Sequence, residues 1–431
     1  MAVGHRVDAD RYRSQFDALN DRVTGRFRRV ETRRTARKML IGLISELPAK
    51  NCWTLAEHAG DRTPDAMQHL LARAVWDTDG VRDDLRDYVT DHLGDTEAIL
   101  VVDETGDLKK GTHTVGVQRQ YTGTAGRIEN SQVAVYLSYA STAGHAFIDR
   151  ALYVPKSWIA DPDRCAEAGI PVDVEFVTKP ALAQRMIGTA LDAGVRVGWV
   201  TGDEVYGADP GLRHELHTRA IGYVLAIGCD RRLPTRTGRA RADVLAVQVP
   251  RKAWQPISAG AGAKGPRLYD WAWIDLDDPA SGRHWLLIRR NRKTRELAYY
   301  RCYAPQPVPL ATLVRVAGRR WTVEENFQTA KGLAGLDQHQ VRRWRSWHRW
   351  TLLAMLAHAF LTIVAASEER ASSRIDKQIP LTRNEIRHLF AMLVATPIHT
   401  LDHRLRWSRW RRHHQYIAAS CHYQRRWGLS A

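Results

Sequence analysis

Two carboxylates in this chain follow apolar runs that are typical of buried strands. The run 98–102 (Ala-Ile-Leu-Val-Val) leads into Asp103, and a second run, 195–200, leads through Thr-Gly into Asp203. Continuous apolar runs of this length are typical of strands that are buried on both faces. In open α/β sheets, ligands bind where such strands end. We therefore expect Asp103 to end one strand and Asp203 to end a neighbouring strand at the same edge of a sheet.

A third carboxylate, Glu324, lies in a segment without Pro or Gly, 320–331, that is predicted to be helical. Residues four and seven apart share a helix face, so Arg320, Glu324 and Lys331 form one polar stripe. The two cations either hold phosphate groups beside Glu324 or form a structural salt bridge with it. The spacing alone allows both.

Three hard oxygen ligands without a His or Cys companion suit Mg²⁺ or Mn²⁺ better than Zn²⁺. Two such ions about 4 Å apart activate a water or a 3′-hydroxyl and stabilise the leaving oxygen of a phosphodiester. Carboxylates are abundant in this sequence, however, and helix caps or surface charges are the alternative explanation. Four neighbouring acids stay open as ligands in place of the chosen three: Glu104, Asp107, Glu204 and Glu325.

The elements around these carboxylates predict an α/β core flanked by helical regions. Residues 1–95 have helical patterns, with an Arg-rich segment followed by a helix, turn and helix compatible with DNA contact or with simple packing. Three strands in 96–155, a helix over 178–193 and the strand before Asp203 then form the core. Residues 230–305, rich in Arg, Gly and Pro, predict a β-rich insertion. The C-terminal region predicts further helices and ends in a basic, aromatic tail.

The composition favours a polyanionic partner. Among 431 residues, 64 Lys and Arg stand against 47 Asp and Glu, which gives a formal charge of +17. Nucleic acid is the leading partner because basic groups gain from releasing its counterions. The excess of Arg over Lys also fits a GC-biased genome. The five cysteines are scattered without a CxxC pair, which indicates a reducing cytoplasm, and the apolar run 351–366 is predicted to be a core helix and not a membrane span.

The three carboxylate segments together resemble the DDE transposases of bacterial insertion sequences. That family's third motif is Y-x2-R-x3-E-x6-K, and this chain has Arg320, Glu324 and Lys331 at those spacings, with Ala317 where the motif has Tyr. The first motif resembles Val-Asp-Glu-Thr-Gly at 102–106. The second resembles Gly-Asp-Glu-x-Tyr-Gly at 202–207. The register selects Glu324, not Glu325, as the catalytic Glu, and Ala317 puts in doubt a contact to DNA near the cleaved end.

The resemblance implies an RNase H-like core interrupted by a β insertion. It implies that Asp103, Asp203 and Glu324 are catalytic and bind two Mg²⁺ or Mn²⁺ ions, and that Arg320, Lys331 and Arg342 contact DNA. The expected organisation is a helical DNA-binding domain (1–95), a first core part (96–229), the insertion (230–305), a second core part (306–368) and a helical basic region (369–431).

The implied activity is cut-and-paste transposition in the bacterial cytoplasm, at the nucleoid. Expected partners are double-stranded DNA with terminal inverted repeats, target DNA and a second copy of the chain, with no membrane. The resemblance also implies a hairpin step, in which a Trp of the insertion, such as Trp273, stacks on an extruded base. The insertion's own small core is the alternative role for that side chain. An inactive relative that only binds DNA and a nuclease without transposition stay open.

Overall fold

The computed structural model describes residues 8–262, 265–371, 380–395 and 399–427. The chain divides into two compact units. One comprises residues 1–81, 330–341 and 345–431, and the other comprises residues 82–329 and 342–344. The three carboxylates of interest all lie in the second unit.

Sixteen α-helices lie in the described part of the chain, with one 3₁₀ turn at Arg251–Ala253. They are α1 (Ala9–Thr24), α2 (Val30–Ile44), α3 (Cys52–His58), α4 (Asp65–Ala72), α5 (Thr78–Leu93), α6 (Lys156–Ile159), α7 (Pro162–Ala168), α8 (Lys179–Asp192), α9 (Glu204–Gly207), α10 (Pro210–Thr218), α11 (Ala242–Val247), α12 (Leu310–Arg319), α13 (Trp321–Ala334), α14 (Trp344–Ala371), α15 (Arg383–Leu393) and α16 (Leu401–Trp427).

Twelve strands lie in the same described ranges, all within the second unit. They are β1 (Ile99–Leu108), β2 (Gln118–Thr122), β3 (Arg127–Ala140), β4 (His145–Leu152), β5 (Trp199–Gly202), β6 (Gly222–Ile227), β7 (Arg232–Thr235), β8 (Gly238–Arg241), β9 (Gln255–Gly262), β10 (Gly265–Asp275), β11 (Arg283–Arg290) and β12 (Leu297–Ala304).

Ten of these strands form one mixed sheet, in the order β2-β3-β1-β5-β6-β12-β11-β10-β9, with β4 paired to β3. The strands β1, β5 and β6 run parallel, whereas β3 runs antiparallel to β1 and β4 antiparallel to β3. The order β4-β3-β1-β5-β6, with only β3 reversed, is the arrangement expected for an RNase H-like core. The predicted α/β fold class with helical regions at both termini is therefore confirmed.

The insertion continues the sheet of the core. Strand β12 pairs antiparallel with β6, and β11, β10 and β9 follow outward, while β7 and β8 form a separate hairpin. A small apolar cluster joins the end of β6 to the insertion, with Ile227 packed among Leu245, Leu286 and Ile288. The insertion thus shares both hydrogen bonds and apolar packing with the strand that precedes it.

The prediction that Asp103 ends its strand is wrong. Strand β1 continues to Leu108 because its antiparallel pairing with β3 runs without a break from Ile99↔Ala140 to Leu108↔Ser131. Only the parallel pairing with β5 stops early, at Val102↔Gly202. Asp103 therefore occupies the position where β1 loses one of its two neighbours and keeps the other.

The first unit is helical in its described part and contains the predicted helix, turn and helix. Helix α3 is opened by a capping box at Asn51, whose side chain accepts hydrogen bonds from the amides of Trp53 and Thr54. The turn that follows contains Gly60 at a φ of 76°, a left-handed conformation that favours glycine. Helix α4 then begins at Asp65.

Buried Lys50 joins two helix ends within this unit. Its amino group donates to the carbonyls of Leu43, in the last turn of α2, and of Leu333, in the last turn of α13. Carbonyls in the last turn of a helix lack partners within that helix, so this one side chain provides a donor to two helix C-termini. Burial lowers the pKa of Lys50 to about 7.

One described helix, Trp344–Arg370, is long and apolar enough to cross a membrane by length and composition alone. In this protein, 89% of its most apolar window is buried inside the chain. This burial is that of a core helix, as the apolar run predicted.

Candidate active site

Parallel pairing of β1 with β5 sets Asp103 and Asp203 side by side. The last parallel pair is Val102↔Gly202, and the next residue in each chain segment is an aspartate: Asp103 within β1 and Asp203 directly after β5. Asp203 then serves as the N-cap of α9, and its carboxylate accepts a hydrogen bond of 2.9 Å from the amide of Val205. The carboxylate of Asp103 accepts one of 2.8 Å from the amide of Glu104.

Arg320 links Asp103 to the third predicted carboxylate. Its guanidinium lies 3.6 Å from Asp103 Oδ2 and 2.9 Å from Glu324 Oε1. Arg320 lies at the junction of α12 and α13, and Glu324 follows in the first turn of α13. Asp103, Asp203, Glu324 and Arg320 therefore belong to one cluster, in which a cation stands between two of the carboxylates.

Burial and the charges of neighbouring acids raise the pKa of both aspartates. Burial, and then the charge of Asp203, raise the pKa of Asp103 to about 7, against the opposing effect of Arg320. Burial, and then the charge of Glu104, raise the pKa of Asp203. Groups with this arrangement gain free energy when a cation enters between them. The pair therefore fits a divalent cation with oxygen ligands.

Glu104 is the fourth acid in this cluster and is already paired. Its carboxylate accepts from Lys179 Nζ at 2.7 Å and from the hydroxyl of Tyr206 at 2.5 Å. Burial and the charge of Glu104 raise the pKa of Tyr206 well above its ordinary value, so the hydroxyl stays a donor. From the sequence, Glu104 is predicted only as an alternative ligand, and no local pattern indicates Lys179.

The positions of Lys179 and Tyr206 in this network are set by contacts between elements that are distant in sequence. Lys179 is the first residue of α8, where a positive charge opposes the helix dipole, so its ion pair with Glu104 offsets an unfavourable position. Tyr206 is fixed because α9 lies directly on β6. A side chain at Gly207 would collide with the carbonyl of Ala226, which explains the glycine of the Tyr-Gly pair.

The neighbouring acids have separate surroundings. Glu325 lies 3.2 Å from the imidazole of His145 on β4, whereas Glu324 contacts Arg320. Glu204 is exposed. Within the described residues, no group of three or more His, Cys, Asp and Glu side chains is close enough to hold a metal ion together. Opening of the ion pair between Arg320 and Glu324 would be required before Glu324 joins the two aspartates as a ligand.

The other predicted site residues are Lys331, Arg342 and Trp273. Lys331 lies on α13, seven residues beyond Glu324, in the segment that belongs to the first unit. Arg342 is exposed, and its backbone carbonyl accepts from the amide of Val115 at 2.9 Å. Trp273 stacks on Trp285 with ring centroids 5.6 Å apart and planes 7° apart. Its strand, β10, is separated from β1 by four other strands.

The β9–β10 hairpin of the insertion contacts the α12–α13 junction, next to Arg320 of the cluster. Gly318 of α12 packs against the backbone of Ala259, and Arg267 donates to the carbonyl of Gly318 at 3.1 Å. The guanidinium of Arg267 lies over the ring of Trp321, 5.6 Å from its centroid. Trp321 is 47% exposed and follows Arg320 directly. Ala317, at the position of the motif's Tyr, is buried on α12.

Comparisons with known proteins agree with the fold. A family profile described as "DDE superfamily endonuclease" matches residues 22–257, which include Asp103 and Asp203 but end before Glu324. The "Probable transposase for insertion sequence element IS701" of Microchaete diplosiphon is 29% identical over 189 residues. That alignment covers 43% of this chain and 47% of the relative, so the similarity spans about half of the relative's length.

The pairing of Glu104 with Lys179 gives a prediction for stability. Lys179→Met removes the cation from a largely buried carboxylate, and we expect it to lower the free energy of unfolding by about 2 kcal/mol. Glu104→Gln and the double variant complete a cycle, in which we expect a coupling energy of about 1–2 kcal/mol. Urea unfolding followed by circular dichroism measures all four proteins.

Lys252→Met is the matched control, because Lys252 is exposed in the insertion. We expect this variant to unfold within about 0.5 kcal/mol of the parent. Strictly additive effects of Glu104→Gln and Lys179→Met would contradict an energetic pairing of the two side chains.

Proposed function

Because this chain belongs to the DDE superfamily of endonucleases, we propose that it is the DNA transposase of an insertion sequence. The single observation that carries this proposal is the cluster of Asp103, Asp203, Arg320 and Glu324 at the point where the parallel pairing of β1 with β5 stops. The proposed reaction cleaves DNA at terminal inverted repeats and joins the freed ends to target DNA. Its place of action would be the bacterial nucleoid.

In the proposed site, Asp103 and Asp203 are the primary ligands and Glu324 is the third. Endonucleases of this superfamily are metal-dependent. Two Mg²⁺ or Mn²⁺ ions, when bound, would activate the attacking water or 3′-hydroxyl and stabilise the leaving oxygen. The repulsion that raises the pKa values of Asp103 and Asp203 supports this assignment, because a cation relieves it. Glu104, held by Lys179 and Tyr206, would keep the two strands in register.

Arg320 and Lys331 are proposed to hold phosphates near the scissile bond. Arg320 lies between Asp103 and Glu324, two of the carboxylates that would hold the metal ions, so its guanidinium is placed beside the proposed site of cleavage. A guanidinium binds phosphate through two parallel hydrogen bonds, which also fixes the orientation of the backbone. Arg342, exposed beyond α13, is proposed to contact the same DNA.

We assign recognition of the inverted repeats to residues 1–95, on the helix pair α3–α4 and the Arg-rich segment before it. A homodimer that pairs two transposon ends is the proposed active assembly. A hairpin on the second strand is the proposed route of excision, and it needs an aromatic surface for an unpaired base. Trp321 supplies a more accessible surface than Trp273, because Trp273 already stacks on Trp285.

The first test of the proposed activity is Asp103→Ala. With duplex DNA that carries the sequences flanking the coding frame, we expect Mg²⁺-dependent nicking to fall by about 10³-fold or more, as when an essential electrostatic group is removed. DNA binding should stay within a factor of about three, since only one buried carboxylate is lost. The exposed neighbour Glu204 provides the control, and Glu204→Ala should nick like the parent.

Nicking by Asp103→Ala at the parent rate would show that the site is elsewhere. A parent protein that binds the ends but never nicks them would be a repurposed relative. Nicking without strand transfer on paired ends would identify a nuclease that does not transpose.

A second prediction concerns Lys331. If its ammonium binds a phosphate, Lys331→Ala reduces the magnitude of the negative slope of log K against log salt by about 0.9. Fluorescence anisotropy with end DNA between 50 and 300 mM salt, roughly the range in which such slopes are measured, gives the slope. The exposed Lys252→Ala is the control. Equal slopes for parent and Lys331→Ala, with equal nicking, would favour a structural role for Lys331.

A third prediction separates the two tryptophans. Stacking on an extruded base is worth about 1–3 kcal/mol, so Trp321→Ala should slow the second-strand step about 10- to 100-fold and leave the first nick unchanged. Trp273→Ala should weaken the insertion through loss of its stack but complete both steps. Denaturing gels resolve nicked from hairpin products. Full second-strand cleavage by Trp321→Ala would exclude base capture by this side chain.

A further inference from the structure

The C-terminal helix α16 is anchored by its first half to the N-terminal helix α3 and the turn after it. Trp407 is fully buried, and its indole donates to the carbonyl of Asp61 at 2.9 Å. Arg411 pairs with Glu57 at 2.5 Å, and the ring of Trp410 meets that of Trp53 edge-on at 4.8 Å. All of these residues belong to the first unit, so the anchoring lies within one compact body.

The second half of α16 is exposed around its circumference. From Arg412 to Gln424 every residue is exposed except Ser420, which is partly buried. The exposed side chains include Tyr416 and Tyr423. A helix that is exposed on all faces needs a partner or a chain of side-chain pairs to be stable.

The charge of α16 identifies the kind of partner. The helix carries one acid, Asp402, against seven arginines at positions 404, 406, 409, 411, 412, 425 and 426. Arg406 pairs with Asp402 and Arg411 with Glu57, whereas Arg404, Arg409 and Arg412 are exposed. At 1.5 Å per residue the helix spans about 40 Å, a little more than one turn of duplex DNA.

We propose that α16 and the helix pair α3–α4 form one DNA-binding surface, in which α16 contacts phosphates and α4 faces the groove. This proposal rests on the proposed function as a DNA transposase. Helix α4 exposes Gln68 and His69, with Arg73 just after its end, and these side chain types donate hydrogen bonds to base edges. Phosphate contacts from α16 would then fix the register of α4 on the duplex.

A second copy of the chain is a poorer occupant for α16. In a symmetric dimer the same patch meets itself, so an α16 interface would bring two arginine-rich helices together. Like charges in contact are repulsive. A polyanion gains from every arginine on the helix instead, through release of its counterions.

The surface also joins the predicted DNA-binding region, residues 1–95, to the basic tail at the other end of the sequence. Residues 1–95 contain α3 and the turn after it, which supply the carbonyls and the aromatic ring on which α16 is anchored. Deletion of residues 1–95 would therefore remove the support of the basic tail as well. Only substitutions that leave the anchoring intact separate the two contributions.

The test is the triple variant Arg404→Gln, Arg409→Gln, Arg412→Gln in the full chain. The slope of log K against log salt is negative, and we expect its magnitude to fall by about 2–3, since each lost phosphate contact removes about 0.9. Affinity should fall by about 10- to 100-fold for both an end-sequence duplex and a random duplex of equal length, because phosphates carry no sequence information. Fluorescence anisotropy measures both, and thermal melting checks the fold.

Two controls make the result specific. Arg236→Gln, Arg239→Gln, Arg251→Gln removes the same charge from exposed sites in the insertion and should leave the slope within about 0.5 of the parent. Replacing Arg404, Arg409 and Arg412 by Lys keeps the charge and should restore most of the slope.

An unchanged slope in the glutamine variant, or an equal fall in the insertion control, would overturn the proposal. So would a change of oligomeric state by light scattering with DNA affinity unchanged, which would assign α16 to a second copy. A parent protein that neither binds nor nicks DNA would instead contradict the proposed function itself.

Discussion

Three acids lie close together where the parallel pairing of β1 with β5 stops, and neighbouring elements of the second unit offset the electrostatic cost of holding them there. Asp103, Asp203 and Glu104 repel one another in a largely buried place, where charge is expensive to desolvate. Two cations offset this cost. Arg320 arrives on the α12–α13 junction and Lys179 on the first residue of α8. Each of these cations is far in sequence from the acid of this group that it contacts, Asp103 for Arg320 and Glu104 for Lys179.

The sequence predicted those features that local patterns encode. Apolar runs located β1 and β5, the helix predicted over 178–193 is α8, and the four-residue spacing of Arg320 and Glu324 brings the two side chains into contact. The end of β1 was predicted wrongly because apolar character reports burial, whereas the strand is prolonged by hydrogen bonds to β3. The Lys179–Glu104 pair spans 75 positions and leaves no periodic trace. Trp273 was named as a stacking candidate, and its own stack on Trp285 depends on the pairing of β10 with β11, which no local pattern shows.

The insertion is separate in sequence but not in the folded protein. Its strand β12 hydrogen-bonds to β6, and its β9–β10 hairpin packs against α12 at Gly318. Any side chain at position 318 would meet the carbonyl of Ala259, so the close approach requires glycine. Through Arg267 the same hairpin contacts Trp321, the residue after Arg320. A shift of the hairpin would therefore move residues beside the carboxylates. Most strands of the insertion nevertheless lie far along the sheet from β1.

The pairing of β6 with β12 also determines what happens when the insertion is exchanged or removed. Without β12, the apolar strand Gly222–Ile227 would present a row of open amides and carbonyls at a sheet edge. Such an edge pairs with edges of other molecules, and the product is an aggregate. A minimal catalytic core cannot be obtained by joining residue 229 to residue 306. Chimaeras between relatives should instead be cut so that β6 and β12 come from the same parent, which keeps this edge covered during folding.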